Sequence, residues 1–332
     1  MDKSLQTQTK SVSSTRLSFW RGVVENQWFL LLIVVFLISA LTGYVNPRYF
    51  MQQNLFNILE QISVLGLVAA GATILIISGN FDISVGSIIG LSACIMAILI
   101  NQGINEFLVG VIGVLVCIFC ATLNGVLSVA FRTPSFIISL ATIGVYHGIA
   151  LALTQGVIQT IYGKFEFIAS TKLFGFFPLL FFISILGYLF VHFILKYTQI
   201  GRRIFAIGNN PRAAFLAGIN VPLNTIFFFF LNGILVGLAS VLILSRLGAA
   251  LPSTGAGIEL RAIGAVVIGG VPITGGRGNV LGTFLGVLLM GVISNSLNMM
   301  RVNPYFQEVA YGLLIIFAVA ISSIRYRWLG SK

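Results

Sequence analysis

The sequence predicts an all-α, polytopic membrane protein with about ten transmembrane helices. Of its 332 residues, 58% are hydrophobic and only 8% are charged, whereas about 25% of the residues of an average soluble domain are charged. Apolar runs of about 20 residues, the length that crosses a bilayer, recur along most of the chain. A soluble fold of this size would lack the charges to cover its surface, so lipid is the expected solvent.

The apolar runs define one transmembrane domain, residues 29–325, with polar tails at residues 1–28 and 326–332. The first tail lacks the short apolar core and cleavage site of a signal peptide. The run 262–273 is short, which indicates a broken or re-entrant helix and leaves nine or eleven spans as alternatives. The predicted spans are 29–45, 55–77, 83–100, 107–131, 134–154, 176–195, 223–245, 262–273, 280–299 and 308–324.

The distribution of positive charges predicts the orientation of the chain. With the N-terminus inside, 13 of the 19 Lys and Arg residues fall in cytoplasmic segments and 6 fall outside. Lys and Arg concentrate in the cytoplasmic loops of membrane proteins, so we expect both termini to be cytoplasmic. The same rule accounts for the formal net charge of +11 without a nucleic-acid partner.

Two glycine-rich hairpins, residues 79–90 and 270–282, interrupt the apolar pattern on the predicted cytoplasmic side. They resemble each other either through internal duplication, which is frequent in transporters, or by chance. Asp82 and Ser84 are positioned to cap the next helix, and Gly86 and Gly90 to form a helix-packing notch. The hairpins are either static capped turns or elements that shift during transport. The candidate hairpin residues are Gly79, Asp82, Ser84, Gly86, Gly269, Gly270, Gly275, Gly276 and Gly278.

The loop 196–222 is the most cationic stretch of the predicted core and contains a short helix of its own. Asn210 is a good N-cap, Pro211 suits the first helical position, and Gly218 suits the end of a helix that spans 212–217. Such a helix is either a docking surface for a soluble partner or an amphipathic interfacial helix. The candidate coupling residues are Gly201, Arg202, Asn209, Asn210, Pro211, Arg212, Ala213, Ala214 and Gly218.

Polar side chains also occur within the predicted spans, in the half of the membrane that faces outside. Asn54, Asn57, Glu60 and Gln61 share one helical face because they recur every three or four residues. Such groups either face a cavity on a translocation path or join helices through hydrogen bonds. Glu60 and His147 could also form a proton relay. The candidate path residues are Asn57, Glu60, His147, Asn295 and Asn298.

The chain lacks the motifs of a catalytic site. Its one Gly-Lys pair, Gly163-Lys164, is followed by Phe165 and has no glycine five residues before it, so it is not a phosphate-binding loop. Neither His-Glu-x-x-His nor Gly-x-Ser-x-Gly occurs. The three cysteines lie in apolar runs without further ligands. We therefore expect no catalytic residues, no metal site and no cofactor, and an ATPase would have to be a separate chain.

Four stretches in order carry a resemblance to a known family. Gly-Asn-Phe-Asp-Ile-Ser-Val-Gly (79–86), Thr-Pro-Ser-Phe-Ile (133–137), Ile-Gly-Asn-Asn-Pro-Arg-Ala-Ala (207–214) and Ala-Val-Val-Ile-Gly-Gly-Val-Pro-Ile-Thr-Gly-Gly-Arg-Gly (265–278) resemble the signature stretches of ABC permeases for ribose, xylose and galactose. The resemblance spans roughly residues 45–325. Asn80, Phe81 and Arg212 depart from the usual residues, and Arg212 stands where the family often has an acid.

The resemblance implies the ABC importer permease fold and a role without catalysis in the inner membrane of a bacterium. It implies three partners: an ABC ATPase, a periplasmic or lipid-anchored sugar-binding protein, and a second permease chain, identical or paralogous. It also implies that the helix at 210–218 is the coupling helix on which the ATPase pushes. A secondary transporter or channel that works alone is the alternative, with Glu60 or His147 handling protons; a membrane scaffold without transport is another.

Overall fold

The computed structural model describes residues 27–173, 175 and 177–330 as a bundle of helices. The predicted all-α class is confirmed. The helices are α1 Gln27–Val45, α2 Gln52–Ile77, α3 Val85–Asn101, α4 Glu106–Ala130, α5 Ser135–Thr154, α6 Glu166–Ser170, α7 Leu179–Tyr197, α8 Gln199–Asn209, α9 Pro211–Leu216, α10 Val221–Leu247, α11 Ile258–Ile268, α12 Val280–Met299 and α13 Pro304–Gly330. A 3-10 helix, Pro47–Phe50, links α1 to α2.

Seven of the helices within the described residues are long and apolar enough to cross a membrane: α1, α2, α4, α5, α7, α10 and α12. The apolar helix α3 has 17 residues, and α11 has 11. The predicted break in the run 262–273 is confirmed, since α11 ends at Ile268 and an irregular segment follows. Helix α13 extends to Gly330, across the predicted start of the C-terminal tail. The count of ten spans stays a prediction, and most of the N-terminal tail lies outside the described residues.

Helix α2 is the centre of the bundle and packs against α7, α10, α11 and α12. Nearly every residue from Ile62 to Ser78 is buried, whichever way its side chain points. A helix that is apolar on all sides is expected in such a position. By contrast, α1, α4 and α5 leave large apolar side chains on the outside, such as Phe36 at 71% and Phe119 at 67% exposure. These faces suit contact with lipid.

Two short strand pairs lie among the helices, which the sequence did not predict. Strand β1, Gln159–Thr160, pairs antiparallel with β4, Ala249–Ala250. Strand β2, Lys172–Leu173, pairs antiparallel with β3, Phe177–Pro178. These strands lie at the end of the bundle where α5 and α10 finish and α7 begins, hereafter the strand end. The opposite end, where α2 and α11 finish, is hereafter the junction end.

Irregular backbone lies inside the bundle beside the start of helix α3. A Cβ at Gly90 would overlap the carbonyl oxygen of Pro252, and a Cβ at Gly86 would lie 2.6 Å from the carbonyl oxygen of Gly255. The loop 251–257 therefore rests directly on the start of α3. Non-helical backbone at membrane depth is tolerated where it is buried in protein, which is the case here. The predicted notch at Gly86 and Gly90 is present, but it receives a loop and not a helix.

Candidate functional site

The loop between α7 and α10 contains the capped helix that the sequence predicts. Asn210 precedes α9, and its side-chain oxygen accepts hydrogen bonds from the backbone N–H groups of Arg212 and Ala213, each at 3.0 Å. Pro211 occupies the first helical position, where a missing N–H breaks no helical hydrogen bond. After the helix, Gly218 turns the chain with a φ of +83°. The helix begins and ends one residue earlier than predicted.

Helix α9 and the end of α8 form an exposed surface at the junction end. Two of the nine predicted coupling residues are buried: Gly201 packs against the last turn of α7, and Ala214 holds α9 to the bundle. Phe215 and Leu216 are 65% and 79% exposed, so the surface is apolar as well as cationic. The other seven coupling residues are exposed: Arg202, Asn209, Asn210, Pro211, Arg212, Ala213 and Gly218.

The two glycine hairpins and the end of α8 meet in one place, hereafter the glycine junction (residues 77–79, 208–209 and 275–276). The backbone N–H of Gly276 donates to the carbonyl oxygen of Ile77 at 2.8 Å. The side-chain nitrogen of Asn209 donates to the carbonyl oxygen of Gly276 at 3.1 Å. A Cβ at Gly208 would overlap the carbonyl oxygen of Ile77. Asn209, the residue before the cap of α9, therefore binds the second hairpin, and Gly208 abuts the end of α2 just before the first hairpin.

Glycine is required at the centre of this junction for two reasons. Gly275 and Gly276 have φ values of +77° and +75°, a region that L side chains rarely adopt. A Cβ at Gly275 would also lie 3.0 Å from the backbone nitrogen of Gly79 and from the carbonyl oxygen of Ile77. Among the other hairpin residues of this segment, Gly269 and Gly282 touch through their backbones, and Gly270 and Gly278 also have positive φ.

Asp82 joins the first hairpin to the helices around it. Its carboxylate is buried; one oxygen accepts hydrogen bonds from the N–H of Ser84 at 3.0 Å, the hydroxyl of Ser84 at 2.7 Å and the amide of Asn124 at 3.3 Å. Its other oxygen accepts from the amide of Asn232 at 3.4 Å. The hydroxyl of Tyr146 donates to Asn124 at 2.9 Å. One carboxylate thus connects the hairpin to α4 and α10 and, through Asn124, to α5.

The predicted cap of α3 is wrong in its details. Ser84 lies at the N-cap position, but its side chain accepts no hydrogen bond from the first turn of α3. Its hydroxyl donates to Asp82 and accepts from Asn124 at 2.8 Å. The carboxylate of Asp82 binds the N–H of the N-cap residue itself, not one inside the helix. A buried carboxylate needs several donors, and this need takes Ser84 away from capping.

The polar residues of the predicted path separate into two groups near the strand end. Asn54 and Asn295 pair with each other through two amide hydrogen bonds of 3.0 and 2.8 Å, as expected of groups that join helices. Asn57 and Asn298 are exposed, and Asn298 accepts a hydrogen bond from Gln307 at 2.9 Å.

Glu60 and His147 do not share a partner. A carboxylate oxygen of Glu60 lies 3.7 Å from a guanidinium nitrogen of Arg246. A ring nitrogen of His147 lies 3.3 Å from the carbonyl oxygen of Pro252. No hydrogen bond or ion pair among the described residues joins Glu60 to His147, so the geometry gives no support to a relay between these two groups.

Comparison with known proteins decides the family. A family model described as the permease component of branched-chain amino acid transport systems matches residues 54–319. The ribose import permease protein of Bacillus subtilis is 35% identical over 291 residues, 86% of this chain and 90% of its own length. The chain belongs to this family of ABC import permeases. The predicted resemblance is confirmed.

Other relatives of the permease agree with this assignment. The D-allose transport system permease protein of Escherichia coli is 34% identical over 326 residues, 96% of this chain and 98% of its own length. The autoinducer 2 import system permease protein of Yersinia enterocolitica is 32% identical over 303 residues, 90% of this chain and 82% of its own length. No solved structure matches the chain.

Sequence reasoning missed three residues that the site depends on: Asn124, Tyr146 and Asn232. Each is a polar side chain within a long, mostly apolar helix, and each is buried in the permease. A polar residue within a predicted span is the signal that could have found them, because such residues need a partner inside the bundle. Which partner they share depends on how the hairpin folds inward.

Replacing Asp82 with alanine is expected to destabilise the permease. The substitution leaves the amide of Asn232 and the hydroxyl of Ser84 without an acceptor and removes one of the two acceptors of the Asn124 amide. A buried donor left unpaired costs about 1–3 kcal/mol. The measurement is the apparent melting temperature of the purified permease in detergent. Glu166→Ala, which removes an exposed carboxylate, is the control and should change little. Equal shifts in the two variants would contradict the role given to Asp82.

Proposed function

We propose that this chain is the membrane-spanning permease subunit of a bacterial ABC importer that moves a simple sugar across the inner membrane. Ribose, allose and autoinducer 2 appear in the names of relatives that cover most of the chain, which supports a ribose-like pentose or a related monosaccharide as the substrate. ATP is hydrolysed by a separate subunit, and the permease itself catalyses no reaction.

The single observation that carries the proposal is the contact between α9 and the glycine junction. Only the N-cap residue Asn210 separates Asn209 from the exposed helix α9. The side chain of Asn209 binds the carbonyl oxygen of Gly276 at 3.1 Å. Gly276 in turn binds Ile77, the last residue of α2. A force on α9 therefore reaches the central helix α2 and the loop before α12 through two hydrogen bonds. Such a connection supports a coupling role for α9.

The orientation and the partners follow from the same proposal. The count of 13 cytoplasmic against 6 external cations supports a cytoplasmic location of the junction end and of both termini. There α9 faces an ABC ATPase. At the strand end a periplasmic or lipid-anchored binding protein delivers the sugar. A second permease chain, identical or paralogous, completes the membrane part.

Reconstitution tests the function directly. The permease is placed in liposomes with and without its ATPase and binding protein, and the uptake of radiolabelled ribose and related monosaccharides is measured. Uptake should require ATP and both partners. Uptake driven by a proton gradient through this chain alone would overturn the proposal in favour of a secondary transporter.

Charge reversal at Arg212 should weaken docking of the ATPase. Arg202, Arg203 and Arg212 make the exposed surface cationic, so an acidic partner surface is expected. In Arg212→Glu the new carboxylate is favourable in the first turn of α9, so the helix should persist while the affinity falls about tenfold. The amount of ATPase that co-purifies is measured. The control is Arg48→Glu, an exposed position at the strand end; equal retention in both variants would contradict the docking surface.

Removing the Asn209 side chain should uncouple ATP hydrolysis from transport. Asn209→Ala loses the hydrogen bond to Gly276 but leaves the cap of α9 in place, and one such bond is worth about 1 kcal/mol. We expect sugar uptake per ATP hydrolysed to fall roughly fivefold, while the ATPase still co-purifies. Asn105→Ala, which removes an N-cap at the other end of the bundle, is the matched control. If sugar uptake per ATP hydrolysed were unchanged in Asn209→Ala, the glycine junction would have no role in coupling.

A further inference from the structure

Near the strand end, five helices line a small, partly open cavity of about 130 Å³. Each of α2, α10, α11, α12 and α13 contributes one polar side chain to its wall. The five side chains are Gln61, Arg246, Arg261, Ser294 and Tyr311. A cavity needs about 10–15 Å³ of such volume to hold one water molecule, so this one has room for several water molecules, or for the hydroxyl-bearing edge of a small ring.

One wall of the cavity holds a donor without a partner. The Nε–H group of Arg261 is buried and has no hydrogen-bond partner among the described residues. Another nitrogen of the same guanidinium donates to Glu308 at 3.4 Å, and the guanidinium carbon lies 5.1 Å from the centre of the Tyr311 ring. These two contacts hold the planar group in place. A buried donor that is held but unpaired is unusual in a protein, and a ligand hydroxyl would satisfy it.

The charges around the cavity balance. Arg246 lies 3.7 Å from Glu60, and Arg261 lies 3.4 Å from Glu308. Each guanidinium carries five N–H donors, so one carboxylate contact leaves several donors for a solute. The cavity therefore offers many hydrogen bonds without a net charge.

The lining of the cavity also contains a polar pair that a solute can join. The amide of Gln61 donates to the hydroxyl of Ser294, and this hydroxyl can also donate onward. The remaining wall is apolar and includes Val64 and Met290. A cavity with a few convergent polar groups on an apolar wall is typical of a small-molecule site.

We propose that Gln61, Arg246, Arg261 and Ser294 form a binding station for an uncharged polyhydroxylated solute on its way through the permease. The hydroxyl groups of the solute bind the free donors of the two arginines and the Gln61–Ser294 pair, and its C–H face packs on the apolar wall. An anionic solute fits less well, because Glu60 and Glu308 already neutralise the arginines. This inference rests on the proposed function and adds the residues and the charge class of the solute.

Equilibrium binding tests the station. The purified complex of permease and ATPase, without nucleotide and without the binding protein, is titrated with radiolabelled ribose in detergent. Wild type should bind ribose. Gln61→Leu has a similar size but removes the hydrogen bonds, and it should weaken binding about tenfold. Ribose 5-phosphate should compete at least about tenfold less well than ribose, since its charge finds no unpaired cation.

The control variant is Gln53→Leu, the same substitution at an exposed position of the same helix. The control variant should bind ribose as tightly as wild type does. Ser294→Ala is a second cavity variant, to be used if Gln61→Leu does not assemble with the ATPase. The station would be overturned if wild type did not bind ribose, or if both cavity variants bound ribose as tightly as wild type does. It would also be overturned if ribose 5-phosphate competed as well as ribose does. Uptake that requires ATP and the binding protein would still support the proposed function, so the two failures are distinguishable.

Discussion

Backbone groups that leave a helix inside an apolar bundle must find partners in the protein, because lipid offers none. The rest of this permease depends on how its two glycine hairpins meet this constraint. Gly276, in the second hairpin, donates a hydrogen bond to Ile77, the last residue of α2, and the first hairpin follows directly after α2. The absence of side chains at Gly275 and Gly276 is what lets the two backbones approach. The hairpins are therefore one unit, and neither can be moved without the other losing a buried hydrogen bond.

The same constraint explains why Asp82 lies inside the bundle. A carboxylate is costly to bury unless several donors surround it, and here Ser84, Asn124 and Asn232 supply them. In return, the carboxylate ties an irregular segment to two long helices. The first hairpin is thus held by backbone at the glycine junction and by side chains at Asp82.

Some of this was visible in the sequence. The cap at Asn210 and the short helix after it depend on residues next to each other in the chain, so local chemistry predicts them. The break after Ile268 is likewise local, because the glycines lie where the apolar run stops. The contacts of Asp82, by contrast, depend on residues 42 and 150 positions away. No periodicity indicates which of the scattered polar side chains will share a site once the helices pack.

The predicted path residues also show that the sequence does not reveal which polar side chains will meet. Asn54 and Asn295 were equally consistent with a path and with a joint between helices, and the reciprocal amide pair favours the joint. Asn57 lies on the same sequence pattern as Glu60 but is exposed. The spacing of residues in the sequence predicts which side chains share a face of a helix. It does not predict which neighbouring helix covers part of that face.

Helices α2 and α12 connect the two functional regions. Gln61 binds Ser294 at the cavity, and the Thr73 and Thr283 hydroxyls pair at 2.8 Å near the junction end. From Gln61 to Ile77 is 16 residues, about 24 Å of helix. Since the two antiparallel helices are joined near both ends, a displacement applied at the glycine junction moves the pair together. Gln61 and Ser294 lie on these same two helices, so the coupling proposed at the glycine junction and the binding proposed at the cavity act on one pair of helices.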